Sequence, residues 1–246
     1  MISSKVSDRV KGINFSKIRE MTSKAKKMKS EGMDIIELSQ GRPDFDTPDH
    51  IIQATFKALK KGLVHYDLSA GTVALREAIA YRTKEDFNLN VDIDEIIVTV
   101  GASEANYLVT QTILDPGDEM IIPDPMYVYY PGFSFLGGAK TTSVPLDIIL
   151  QEPEELEKYI TKKTKLILLT SPHNPTGQVI PRKSLEVIAS LSQKYNFFVI
   201  SDDIYNKIIY EENMNRISIA NLKGMRERTF IIGSLSKTYA MDGWRV

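Results

Sequence analysis

Chemistry-bearing residues crowd the carboxyl end of this sequence, where Ser234-Leu235-Ser236-Lys237 and Gly243-Trp244-Arg245 follow the apolar segment 229–233. A strand that delivers a lysine and two hydroxyls at its carboxyl end, with an arginine close behind, suits a covalent cofactor site with a phosphate clamp. A lysine held in a crevice at a strand end can have its pKa lowered by desolvation and serve Schiff-base chemistry, whereas an exposed one is ordinary surface charge. The same stretch, ending in Lys237-Thr238, also invites a nucleotide-binding P-loop. That reading fails on spacing, because a P-loop needs a glycine directly before the lysine and Ser236 stands there.

Four further stretches place polar groups directly after apolar runs. Gly101-Ala102-Ser103 opens a helical pattern, where free backbone N–H groups and the helix dipole favour a phosphate, although such a turn alone reads as an ordinary helix start. Asp124-Pro125-Met126-Tyr127 presents an aromatic that either stacks on a planar ligand or simply packs. Ser171-Pro172-His173-Asn174-Pro175-Thr176-Gly177 holds an Asn that both donates and accepts, and it reads equally as a plain Asn-Pro turn. Ser201-Asp202-Asp203-Ile204-Tyr205 puts two carboxylates at the end of an apolar run, where charge is costly without a partner. One of them can cap a helix. The other calls for something like a cationic ring nitrogen.

The elements that must carry these residues follow from periodicity. From Glu95 onward apolar runs alternate with helical patterns, which predicts βαβ units and a three-layer α/β fold, a mostly parallel sheet flanked by helices. Strands are expected at 96–100, 120–123, 140–146, 166–170, 197–201 and 230–233, with helices over 154–160 and 182–195 as crossovers. Another helix starts at Gly101, with Ala105, Leu108, Val109 and Ile113 as its inward stripe. Ligands of open α/β sheets bind outside the strands' carboxyl ends, so all the polar stretches above fall at one edge.

Ahead of the sheet, 17–30 predicts an amphipathic helix with Ile18, Met21, Ala25 and Met28 on its buried side, followed by a short strand over 34–38. Thr47 is expected to cap a helix that has Pro48 in its first position and Ile52, Phe56 and Leu59 on one face. Thr72 is expected to cap the next, with Leu75, Ala78 and Ile79 inward.

Composition narrows the function classes. The chain has 246 residues, 42% of them hydrophobic, enough for a large core, and a net charge of -1 that gives no reason to expect nucleic acid or a membrane surface as partner. Its basic N-terminal run, from Lys5 and Arg9 to Lys27 and Lys29, reads as a solvated helix face. With no cysteine and three scattered histidines, thiolate chemistry is excluded and no metal site is expected. No apolar run approaches membrane-spanning length, and the expected setting is cytoplasmic.

A phosphate cup, a flat aromatic, a carboxylate, a hydrogen-bonding Asn and Tyr, and a lysine together describe the needs of pyridoxal phosphate. From Gly41-Arg42-Pro43-Asp44-Phe45 to its last residue the sequence resembles the class I and II aminotransferases of the aspartate aminotransferase fold group, fold type I, with several motifs in order and spacing.

The resemblance implies a Schiff-base role and proton shuttling for Lys237. Asp202 would keep the pyridine nitrogen protonated, and Tyr205 and Asn174 would hydrogen-bond the ring oxygen. Gly101, Ala102, Ser103, Ser234 and Arg245 would form the phosphate cup, and Tyr127 would stack on the ring. Gly41 and Asn174 would face the substrate, an amino acid or 2-oxo acid. Tyr66 would reach the phosphate of a second copy in a homodimer, and the peptides before Pro125 and Pro175 would be cis. It also implies an N-terminal arm or small-domain segment over 1–45 and a large cofactor-binding domain over 46–246.

Asp203 and Asp242 depart from the family pattern, which usually has glutamate and threonine or serine there. The chain is also shorter than the family pattern, reading as an N-terminal piece cut before the last sheet strand and the C-terminal small domain, and is expected to be inactive alone. A carbon-sulfur lyase using the same Lys237 and Asp202, or a non-catalytic cofactor-binding module, are the alternatives.

Overall fold

The computed structural model describes residues 17–36, 38, 41–210 and 217–246. The basic run up to Ser16, Glu37 of the expected strand 34–38 and the side chain of Ile18 lie outside them. Five strands form one sheet: β1 (Glu119–Asp124), β2 (Lys140–Pro145), β3 (Thr164–Thr170), β4 (Phe198–Asp202) and β5 (Thr229–Ile232), in spatial order β2-β1-β3-β4-β5. Every neighbouring pair is parallel.

Side chains alternate across the sheet with period two, and the apolar runs fill both faces. Ile121, Ile167, Leu169 and Val199 point to one side, where they pack with Leu185 and Ile188 of α7 (Arg182–Tyr195). Met120, Ile122, Leu166, Leu168 and Ile200 point to the other, against α4 (Ala102–Ile113) and Tyr130 of α5 (Tyr130–Leu136). The three-layer α/β expectation therefore holds. α1 (Lys17–Ser30), α2 (Asp49–Lys60) and α3 (Val73–Phe87) precede the sheet; α6 (Leu146–Gln151) and α8 (Leu235–Thr238) complete the α-helices among the described residues.

Several local expectations are corrected. Segment 96–100 forms no strand; its backbone is tied by Val98 N–H donating to Ala70 O at 2.9 Å, and Ile97 and Val100 are exposed. A ladder needs a neighbour, and no described strand runs beside it. Residues 34–36 and 38 are irregular too. Over 153–159 the chain is a 3-10 segment rather than an α-helix, preceded by the short α6. Met21 is exposed, α2 buries no residue although Ile52, Phe56 and Leu59 share its apolar face, and Ala78 faces solvent. On α4 the fully buried positions are polar, Asn106 and Thr110, while Leu108 is exposed.

The buried residue of α3 is Arg76, because its guanidinium serves as a bolt. It donates to Gly71 O (3.2 Å), Ile93 O (2.9 Å) and Asp94 Oδ1 (3.3 Å). Thr72 caps this helix as expected, accepting from Leu75 N at 3.2 Å. Arg76→Met is expected to cost about 1–3 kcal/mol, since it strands part-buried carbonyls. Asp94→Ala should cost well under about 1 kcal/mol, because that carboxylate is 92% exposed. Urea unfolding of both variants checks the contrast; equal losses would make the ion pair, not the carbonyl bonds, the source of stability.

Candidate active site

Period-two geometry decides what stands at the carboxyl edge of the sheet. Asp202 lies two residues beyond Ile200 and Thr170 two beyond Leu168, so both turn toward the α4 face. There Asp202 Oδ2 accepts from Asn106 Nδ2 at 3.0 Å and from Tyr130 OH at 2.8 Å, and Tyr130 OH also meets Thr170 Oγ1 at 2.8 Å. Asp202 Oδ1 is buried with no hydrogen-bond partner. Burial pushes this carboxyl above the usual carboxylate range, opposed by the Asn106 and Tyr130 hydrogen bonds and the nearby Ile204 N–H. Neutral donors alone leave the charge undercompensated; a cationic N–H donor at Oδ1 would supply what is missing.

A cavity of about 610 Å³ opens above this carboxylate. Ten of the expected site residues line it: Gly41, Ala102, Ser103, Tyr127, Asn174, Asp202, Tyr205, Ser234, Lys237 and Arg245. Gly101 sits just behind, as the N-cap of α4. Tyr66 is fully exposed and does not line the cavity. Asn106 and Tyr130 also border it.

Each group is held by its local chain. The loop bearing Asn174 has cis peptides before Pro172 and Pro175, and Asp124-Pro125 is cis as well. His173 is buried under that loop, bonded through Nδ1 to Thr176 Oγ1 at 3.0 Å, and burial pushes its pKa down, so it stays neutral. Asn174 Nδ2 donates to Tyr205 OH at 3.1 Å. Burial, then the Asp202 carboxylate, raises the Tyr205 phenol, so it is protonated at neutral pH. Tyr127 is pushed up to about 12 by burial and then by Tyr129, Tyr205 and Asp202, and its ring meets those of Tyr129 and Tyr130 edge-on at 5.2 and 5.3 Å.

Lys237 on α8 is half-buried, and its Nζ donates to Gly41 O. Burial lowers its pKa, with Asp242 opposing and Arg245 adding to the fall. A lysine so placed releases a proton more readily than a surface one. Ser234 caps α8, its Oγ accepting from Ser236 N at 3.1 Å.

The N-terminal segment is tied to the same loop. Thr47, expected as a helix cap, instead donates from Oγ1 to Ala240 O at 2.6 Å and accepts from Trp244 Nε1 at 3.1 Å. Pro48 takes the N-cap position of α2, with no side-chain cap. The hydroxyl is diverted because it satisfies two groups of the lysine loop at once.

Backbone strain concentrates here. Ala240 and Arg245 have positive φ (51° and 61°), and Gly101 has φ 73° and ψ 167°, a conformation open essentially to glycine alone. A Cβ on Gly101 would also collide with the Arg245 guanidinium. Gly101→Ala is expected to destabilise the protein by about 1–3 kcal/mol and to displace Arg245; unchanged urea unfolding would contradict this.

The fold and site define a parallel α/β protein whose cavity, at the strand ends, combines a buried carboxylate, a half-buried lysine and the N-terminus of α4 beside an arginine. The chain belongs to the family described as aminotransferase class I and II, whose model matches residues 33–246. It is 41% identical over 242 residues to a probable aspartate aminotransferase of Methanocaldococcus jannaschii and 42% identical over 245 residues to an aspartate aminotransferase of Pyrococcus abyssi. Each match covers 98% of this chain, which spans 62% of the length of those curated relatives. Among solved structures it is similar to the Thermus thermophilus aspartate aminotransferase with maleate, with TM-score 0.91 and 36% identity over 98% of this chain and 63% of that one. Among the described residues there is no metal-ligating cluster and no helix long and apolar enough to cross a membrane.

Proposed function

We infer that the whole protein transfers an amino group from an amino acid to a 2-oxo acid with pyridoxal phosphate as cofactor. The observation that carries this is the unpartnered, buried Asp202 Oδ1 in the cavity that also holds the half-buried Lys237. The donor set fits the cofactor: Asp202 for the ring nitrogen, Tyr205 and Asn174 for the ring oxygen, Tyr127 against the ring face, and Gly101, Ala102, Ser103, Ser234 and Arg245 for the phosphate. When bound, pyridoxal phosphate supplies the electron sink that makes a substrate α-carbon acidic.

The chain's own residues do the rest. Asp202 would hold an N–H cation in place through a charge-assisted bond in a buried setting. Lys237 Nζ, with its lowered pKa, takes and returns a proton at the substrate α-carbon. Tyr205 OH, kept protonated, would donate to the ring oxygen, and Asn174 fixes the phenol's position. Gly41 and Asn174 line the cavity and would face the substrate. Curated relatives 37–42% identical to this chain carry aminotransferase names, which favours transfer over β-elimination. The fully exposed Tyr66 and the uncovered apolar face of α2 suit a homodimer in which Tyr66 reaches the phosphate site of a second copy.

Mixing the cofactor-loaded whole protein with an amino acid and a 2-oxo acid, and following both products, tests the reading. Equimolar exchange of amino and keto groups is the expected result. Ammonia release without exchange would overturn it in favour of a lyase.

A further inference from the structure

Lys207 stands two residues beyond Tyr205 but does not line the cavity; its Nζ donates to Asp86 Oδ1 at 2.5 Å. Asp86 lies in the last turn of α3, 121 positions away in sequence, and the same oxygen accepts from Arg82 Nη2 at 2.5 Å. The Asp86 side chain is 13% exposed and that of Lys207 40%, so the pair is better shielded than an ordinary surface ion pair. It fastens the turn carrying Tyr205 to a helix that is itself bolted down by Arg76.

The turn converts this tie into a constraint on the phenol. Asp203 N donates to Ile232 O at 2.8 Å, which holds the start of the turn against β5. Asn206 N donates to Asp203 O at 3.0 Å and Ile208 N to Tyr205 O at 2.8 Å, closing two overlapping turns across 203–208. Tyr205 therefore sits between an end fixed to the sheet and an end fixed to α3. Its oxygen accepts from Asn174 Nδ2 at 3.1 Å, which leaves the phenol proton free to be donated into the cavity.

We propose that Lys207 and Asp86 are positioning residues that, through this turn, hold the Tyr205 hydroxyl at the ring oxygen of the cofactor. This rests on the proposed amino transfer with pyridoxal phosphate. A hydroxyl that donates to an anionic ring oxygen draws charge from it and makes the neighbouring imine nitrogen less basic. Cutting the tie to α3 slackens the turn and weakens that bond. The imine then keeps its proton to higher pH.

Absorbance titration of the imine in the cofactor-loaded whole protein reads the phenol's position without turnover. In Lys207→Met the midpoint should rise by about 0.5–1 pH unit, part of what a hydrogen bond to a charged group is worth. Arg82 keeps Asp86 paired in that variant, so the melting temperature should fall by no more than about 4 °C. Lys207→Arg, which keeps the pair, should titrate like the wild type. Arg82→Met takes a positive charge from the same carboxylate but leaves the turn tied, so an equal rise there would mean a plain charge effect and overturn the proposal. An unmoved midpoint in Lys207→Met would do the same. So would a rise of equal size when Lys207→Met is added to Tyr205→Phe, where no phenol is left to position. A wild-type protein that shows no imine absorbance sinks the proposed function instead, whereas the difference between Lys207→Met and Arg82→Met reads the tie to α3 alone.

Discussion

Lys237→Ala in the whole protein should lower amino-transfer turnover by about 100- to 10,000-fold, the range associated with loss of a positioned acid-base group. No other lysine lines the cavity among the described residues, so no second amine can take over. The side chain is half-buried and among the described residues is bonded only to the Gly41 carbonyl, so the variant should fold. Borohydride treatment followed by peptide mapping supplies a readout separate from rate: cofactor should be fixed to the peptide carrying Lys237 in the wild type and to none in the variant. A variant that still carries reduced cofactor would remove Lys237 from its assigned place.

Asp202→Asn should have opposite effects on the empty and the loaded protein. Burial raises the folded-state pKa of Asp202 above its unfolded value. Its contribution to stability is then fully present below the ordinary aspartate range and is lost as pH rises through the folded value. At neutral pH the cofactor-free wild type carries that cost, and the amide removes it, so the empty variant should be at least as stable and less sensitive to pH. Once loaded, the relation reverses. The amide turns an N–H donor toward a ring N–H or leaves it without a charge partner, so cofactor should raise the melting temperature of the wild type far more than that of the variant. Turnover should fall about 100- to 1,000-fold. Thermal melts across pH, with and without cofactor, decide the matter; a cofactor-free variant less stable than wild type would mean that Asp202 is ionised and satisfied without a ligand.

The parts of the molecule legible in the sequence were those governed by local pattern. Strands at 120–123, 140–146, 166–170, 197–201 and 230–233 stand where the apolar runs placed them, to within two residues at each end. Once the sheet is parallel, the residues following those strands must share an edge, which is why Tyr127, Asn174, Asp202, Tyr205, Ser234, Lys237 and Arg245 meet in one cavity. Segment 96–100 has the same apolar pattern yet forms no strand, because pairing depends on a neighbour that no local pattern reports.

Asn106 was missed for a related reason. It lies on α4 among apolar residues with the spacing of a core stripe, and a buried carboxamide is recognisable only when the carboxylate 96 positions away is known to face it. Tyr130 was passed over beside Tyr127, although a phenol in an apolar cluster needs a polar partner and could have been paired with Asp202. Thr47 followed by Pro48 looks like a helix start at short range, but the hydroxyl answers to Ala240 and Trp244 instead.

Those last two bonds set a schedule for the molecule. Thr47 is separated from Ala240 by 193 positions and from Trp244 by 197. At about 5–20 residues per second of synthesis, the segment around Thr47 waits roughly 10–40 s for the loop it fastens to. The sheet can assemble in that interval as each crossover is completed. The pocket mouth cannot, so a nascent chain should pair β1 to β4 before it closes the cavity, and the contact that brings Gly41 to Lys237 comes after them.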